Sequence, residues 1–280
     1  MDGVELKTVS RQLHYGRRGI DRLYARIWGD SIHFGVYETP ATSLESAVME
    51  TKRQMALRAG LHPGQHVLEA ASGWGATARY LVREQGVSVT ATNFDADHLA
   101  ACRTLVAMSG FENRIDCAPA DFHSLPFADN SFDVWWCQEA TVHAANKPAV
   151  FAEALRVLRP GGRIVFSDQT TNRRRCTPLV RDRLCARHGS DDLYGAADFT
   201  NLLRRTGFDD VRSWDWSTQM ARHFANLTGR MMATMDVLRV DFPAEMLADN
   251  FALWTLGREL AESGTIGWHG FVARKPGAKR

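Results

Sequence analysis

The 280-residue chain has no long apolar run, no close cysteine pair and almost no excess of charge, and each absence removes a class of function. No stretch approaches the ~20 apolar residues that span a bilayer, so no membrane role is expected. The opening residues, MDGVELKTVSRQLHYGRRG, carry charges throughout and lack the apolar core of a signal peptide. Five cysteines (102, 117, 137, 176 and 185) form no CxxC motif and no zinc-like spacing with histidine. Free thiols, a cytoplasmic location and no metal are the expectation. A net charge of +2 gives no broad electrostatic case for nucleic acid. The single basic run, Asn172 to Cys176, reads as a solvated loop rather than an anion site.

What is present is alternation. Short apolar runs at 66–70, 87–92, 114–119, 132–137 and 163–168 are separated by helical patterns at 76–85, 95–109 and 147–158. A further helix precedes them from about Ser43, stopped by His62-Pro63-Gly64. Strand and helix in turn argue for a doubly wound α/β fold with a mostly parallel sheet. After Asp168 the pattern loosens into a helix at 195–208, a strand at 209–217, a mostly helical stretch at 218–262 and a closing strand at 264–276. The organisation expected is an N-terminal lid segment (1–42), a Rossmann-like core (43–170), and a region (171–280) that completes the sheet and adds helical cover.

The stretch VLEAASGWGAT, Val67 to Thr77, is an apolar strand followed by small residues, two glycines and a helix. In a doubly wound sheet such a turn faces the ligand crevice. Gly73 and Gly75 permit positive φ and close backbone approach. A dinucleotide turn would need a third glycine, absent here, and Glu69 would repel a pyrophosphate. An acid there suits a cationic ligand, which favours S-adenosylmethionine, with its ammonium and sulfonium, over a nicotinamide cofactor. The same stretch is also readable as a tight turn holding nothing.

Four ordered segments decide between these. VLEAASGWG (67–75), ATNFDADH (91–98), ADFHSLPFADNSFDVWWCQEATVH (120–143) and ALRVLRPGGRIVFSD (154–168) together resemble the class I S-adenosylmethionine-dependent methyltransferases. The flanks HYGRRGIDRLYARIWGDSIHFGVYETP (14–40), SDDLYGAADFTNLLRRTGF (190–208) and ESGTIGWHGFVARKP (262–276) are similar to the sarcosine/dimethylglycine N-methyltransferases. This resemblance implies a seven-stranded sheet with an antiparallel last strand. It also implies methyl transfer to a small-molecule acceptor with S-adenosylhomocysteine as product.

By the same resemblance, Glu69 lies near the ammonium, and Ala71, Ser72 and Gly73 cradle the methionine moiety. Asn93 and Phe94 contact ribose and adenine. Asp121 accepts from the adenine amino group, where its alternative is a turn residue, and Phe122 donates a backbone N–H. Gln138, Glu139 and Ala140 end the fourth strand beside the sulfonium. Three cofactor positions depart from the family pattern, and Glu139 stands where the family more often has an aspartate. Ala71 replaces a glycine and is compatible with binding if its φ is negative. Asn93 replaces an acid but can still bond a hydroxyl. His98 stands where some relatives hold ribose with a glutamine, and is otherwise a surface histidine.

His143, just past the fourth strand, is the candidate general base, since an imidazole titrates near neutrality. Glu139 is placed to orient it or to hold a substrate cation. Tyr15 belongs to the lid segment, and Trp28 packs on the cofactor or anchors that lid. Arg174, Arg175 and Arg222 are candidate partners for an acceptor carboxylate. The expected acceptor is an amine, glycine-type or otherwise. An aromatic, indole or prenyl metabolite methylated at carbon or nitrogen is the alternative, with a nicotinamide oxidoreductase or a silent cofactor-binding protein more remote.

Overall fold

The computed structural model describes residues 18–190 and 193–277. Seven strands form one sheet: β1 (His66–Ala70), β2 (Ser88–Asn93), β3 (Ile115–Pro119), β4 (Phe132–Gln138), β5 (Leu158–Thr171), β6 (Asp209–Asp215) and β7 (Ile266–Arg274). Their order is β3-β2-β1-β4-β5-β7-β6. The first five pair in parallel and the last strands run antiparallel, as the α/β expectation requires. The sheet reverses its winding between β1 and β4, so the ligand crevice of this architecture opens at their carboxyl ends.

The helices are α1 (Arg18–Ile27), α2 (Leu44–Ala59), α3 (Ala76–Gln85), α4 (Ala96–Met108), α5 (Lys147–Val157), α6 (Pro178–His188), α7 (Ala196–Thr206), α8 (Ser217–Ala233), α9 (Met235–Asp241) and α10 (Ala244–Glu262). None of the described helices is long and apolar enough to cross a membrane.

The chain divides into two compact units. One holds Lys52–Asp168, Ala196–Trp214 and the residues from His269. Its strands β1, β2 and β4 are buried on both faces, so Trp135 and Trp136 point to opposite sides and both are fully covered. On one side Phe151, Phe166, Phe199 and Phe271 interlock, with successive ring centroids 4.8–5.5 Å apart.

The other unit holds the chain up to Thr51, Gln169–Gly195 and Asp215–Trp268. Within it α8 and α10 pack together. Tyr24, Trp28, Phe34 and Trp254 cluster with His223. His223 Nδ1 accepts from the Gly35 amide at 3.1 Å and lies 2.9 Å from the Tyr37 hydroxyl. Complete burial pushes its pKa down to about 3, so the ring is neutral and its proton sits on Nε2.

Several elements depart from the expected bounds. β5 begins at Leu158 rather than 163, because Leu158 already pairs with Phe132 before Arg163 pairs with Val134. The extra residues form a bulge at Pro160-Gly161-Gly162, whose Gly161 amide donates to the Lys275 carbonyl. A side chain at Gly162 would meet the backbone oxygens of Arg159 and Asp133 at 2.8 and 2.9 Å. β6 stops at Asp215 rather than 217: the Asp215 side chain accepts from the Ser217 amide, and Trp216 turns onto Trp268, centroids 4.6 Å apart. Trp214 instead lies under the Arg58 guanidinium at 4.7 Å. The stretch 218–262 is three helices, interrupted at Thr234 and again at Pro243. α6 has no counterpart in the pattern reading, although Thr177 caps it, Pro178 opens it and Gly189 closes it.

Candidate active site

The turn after β1 is a set of left-handed residues. Ala71, Gly73 and Gly75 have φ of +58°, +54° and +71°. The condition of a negative φ at Ala71 is therefore not met: an alanine occupies the conformation that favours glycine. The Ser72 amide donates to Thr92 O at 2.8 Å and the Gly75 amide to Ser72 O at 2.9 Å. These bonds fold the loop back toward β2 and open α3. A side chain at Gly75 would lie 2.5 Å from Cys102 Sγ, so the loop rests directly on α4.

Among the described residues, three polar atoms around this turn are buried without a partner: Glu69 Oε2, Ser72 Oγ and Gln138 Nε2. Glu69 is 3% exposed, Ser72 6% and Gln138 5%. Gln138 Oε1, by contrast, accepts from Thr77 Oγ1 at 3.0 Å and Trp136 Nε1 at 3.2 Å, which fixes its amide with the two N–H donors turned elsewhere. Burial raises the Glu69 pKa to about 8 against the pull of Lys52, the Ala78 amide and Arg79. A buried carboxylate with an unused oxygen, beside an unused hydroxyl and an unused amide donor, fits a ligand carrying both a cationic and an acceptor group. The amino-acid end of S-adenosylmethionine has both.

The other expected contacts line the same carboxyl edge. Phe94, just past β2, is 56% exposed, unusual for a phenylalanine. Asn93 Oδ1 accepts from the Asp95 amide at 3.0 Å, and Asp95 caps α4 by accepting from His98 N at 2.9 Å. The His98 ring meets Trp74 of the glycine loop edge-on at 6.2 Å. Asp121 takes both the amide and Nδ1 of His123 on Oδ1, at 2.9 and 2.7 Å, so it has the turn role as well. Phe122 is buried and stacks on His123 at 4.8 Å.

At the end of β4, Glu139 also has a left-handed backbone, φ +49°. Its amide donates to Ser167 O at 2.8 Å and its carboxylate accepts from Ser167 Oγ. Ala140 opens the short 3-10 turn Thr141–His143 that carries the half-buried His143. That turn is held by a residue the sequence reading passed over. Asp168, fully buried within the adjacent strand β5, accepts from Thr141 Oγ1 and from the Val142 amide at 2.8 Å. An acid closing an apolar run beside the site was the available signal.

Tyr15 lies outside the described residues. Trp28 falls in the aromatic cluster, its Nε1 donating to His33 O at 2.9 Å. Arg175 donates to Ser263 O, and Arg222 to Tyr37 O and Thr39 O, so both are engaged with carbonyls. Among the described residues no group of three or more His, Cys, Asp or Glu is arranged to hold a metal ion.

Comparison with known proteins identifies the family. Residues 68–166 match the family described as Methyltransferase domain. The chain is 30% identical over 227 residues to sarcosine/dimethylglycine N-methyltransferase of Halorhodospira halochloris, covering 80% of this chain and 79% of that protein. It is 29% identical over 228 residues to glycine/sarcosine/dimethylglycine N-methyltransferase of Actinopolyspora halophila, spanning 80% of this chain but 39% of that longer protein. A candidate sarcosine dimethylglycine methyltransferase of Galdieria sulphuraria superposes with a TM-score of 0.85 over 91% of this chain and 98% of that one, at 24% identity. The chain belongs to the class I S-adenosylmethionine-dependent methyltransferases.

Proposed function

We propose that this methyltransferase alkylates an amine nitrogen of a small acceptor, glycine-type or another amine. The observation that carries the reading is the 30% identity to a sarcosine/dimethylglycine N-methyltransferase over four-fifths of the chain. S-adenosylmethionine supplies an electrophilic methyl on a positively charged sulfur. Glu69 holds the ammonium, Ser72 and Gln138 take up the adjoining polar atoms, and the Ala71–Gly73 backbone cradles the chain between them. Phe94 covers the adenine, while Asn93, with His98 at the loop edge, binds ribose. Asp121 and the Phe122 amide read the adenine edge, and Ala140 backs the sulfonium.

A neutral amine already presents its lone pair, so the enzyme's task is alignment and removal of a proton. In-line geometry with the nucleophile about 3 Å from the methyl contributes a large part of such a rate. His143 accepts the proton that a cationic acceptor must lose before its nitrogen can attack the methyl, from a turn that Asp168 keeps in place. Glu139, fixed by Ser167, draws the cationic acceptor to that edge.

A second reading has its own observation. The chain is 34% identical over 140 residues, half its length, to a sterol 24-C-methyltransferase of Gibberella zeae, which favours a larger apolar acceptor methylated at carbon. S-adenosylhomocysteine release, measured with sarcosine, dimethylglycine, indole, phenol and prenyl acceptors, decides between the two. Turnover of the glycine derivatives supports the first, and turnover of only the aromatic or prenyl acceptors overturns it.

A further inference from the structure

Two of the five cysteines meet directly beneath the cofactor loop. Cys102 on α4 and Cys117 on β3 place their sulfurs 3.1 Å apart, closer than two unbonded sulfurs ordinarily sit. Cys102 is fully buried, and its Sγ is the atom nearest any side chain that Gly75 would carry. β3 is the edge strand of the sheet, and Cys117 retains slight exposure there. The Arg103 guanidinium donates to the Cys117 carbonyl at 2.9 Å, placing a positive charge beside it.

We infer that Cys102 and Cys117 are an oxidisable thiol pair that closes to a disulfide and, in closing, weakens cofactor binding. The oxidant is a peroxide. Cys117, on the edge strand and next to a guanidinium, is the attacking sulfur; its thiol is held below the usual range by the Cys102 hydrogen bond and by Arg103 and Arg79, against burial. Its thiolate attacks one peroxide oxygen, the O–O bond breaks, and hydroxide leaves to give a sulfenic acid. Cys102 sulfur then attacks Cys117 sulfur, the S–O bond breaks, and the departing hydroxide takes the Cys102 proton as water. Two thiols and one hydrogen peroxide give one disulfide and two waters. Closure shortens the sulfur separation from 3.1 Å to about 2.05 Å and draws Cys102 away from the loop it supports.

The test treats the full chain with hydrogen peroxide and follows intact mass, linked peptides and S-adenosylhomocysteine affinity. A double variant, Cys176→Ser with Cys185→Ser, removes the two less buried thiols from the readout. The expected result is a loss of two hydrogens, a peptide linking Cys102 to Cys117, and affinity lowered about five-fold or more, restored by dithiothreitol. Cys117→Ser should abolish the link, with a thermal melt to establish that the variant is folded. Oxygen added to single cysteines without a link overturns the pairing. A clean link at unchanged affinity overturns its coupling to the cofactor. Both arms read binding alone, so neither depends on which acceptor is methylated.

Discussion

The two ends of β1 and β4 are built from the same strands and treat polar groups in opposite ways. At the amino end, the Asp133 carboxylate accepts from the His66 amide at 2.8 Å and from Arg159 at 2.7 Å. Nearby, Arg156 bridges Glu153 and Asp129 and donates to the carbonyls of Leu125 and Phe127. At the carboxyl end, three deeply buried polar atoms have no match among the described residues. An unmatched buried group costs roughly 1–3 kcal/mol, so a fold keeps several together only where something else satisfies them. The amino end is arranged for stability and the carboxyl end for a ligand. Substitutions at the two ends should therefore separate in what they change.

The largest separation is expected at His143. His143→Ala should lower kcat by about a hundred-fold or more, as loss of a general base does, with the affinity for S-adenosylhomocysteine held. Steady-state kinetics beside calorimetry check this. Equal losses in both would make His143 part of the cofactor site instead.

Glu69→Gln should weaken S-adenosylhomocysteine binding by about ten- to a hundred-fold, the scale of one charge-assisted hydrogen bond. It should not destabilise the free protein at pH 8, because it removes a buried charge. The pH dependence sharpens the point. With a pKa near 8, free Glu69 is protonated at pH 7, and a cationic ligand must expel that proton. Affinity should climb with pH by up to about ten-fold per unit below 8 and level off above it. Stability of the free protein runs the other way, highest below 4.5 as regards this group and falling as pH rises toward 8. Binding that is flat from pH 6 to 9 would contradict the assigned role.

At the opposite end, the His66 amide and Arg159 outweigh burial and hold the Asp133 carboxyl below its usual range. Asp133→Ala should lower Tm by a few degrees, from a loss of about 1–2 kcal/mol, without changing cofactor affinity. A drop in affinity as large as that of Glu69→Gln would erase the distinction between the two ends.

How legible these ends were in the sequence follows from how local their signals are. Glu69, Gly73 and Gly75 sit in one strand–turn–helix stretch, where an acid and positive-φ residues already imply a cationic ligand. β1 and β4 were readable because burial on both faces makes nearly continuous apolar runs, and β2 and β3 because apolar and polar residues alternate along them. Asp168 and Ser167 act on residues 26–28 positions earlier in the chain, a pairing that no local pattern carries. The β5 bulge was hidden because Pro-Gly-Gly reads as a turn unless Lys275 is known to bond across it. Conversely, α6 had a readable cap, proline and terminal glycine, but its exposed face left the apolar periodicity too weak to register.

Ala71 gives the smallest effect and tests the carboxyl end in a way the other changes do not. Its φ of +58° costs an L-residue roughly 1–2 kcal/mol. Glycine relieves that strain but has more freedom to lose on folding, an offset of about 0.4–1 kcal/mol. Ala71→Gly should therefore raise Tm slightly, by one to three degrees, the scale of about 1 kcal/mol in a chain of this size. If the strain serves to hold the loop in its binding shape, cofactor affinity should fall a little even as Tm rises, because the glycine loop samples more conformations before the ligand arrives. A rise in Tm with unchanged affinity would mean that Ala71 is tolerated rather than used, and that Gly73 and Gly75 alone shape the turn. A fall in Tm would mean that the methyl group packs well enough to repay its backbone, and the strain argument at this residue would be wrong.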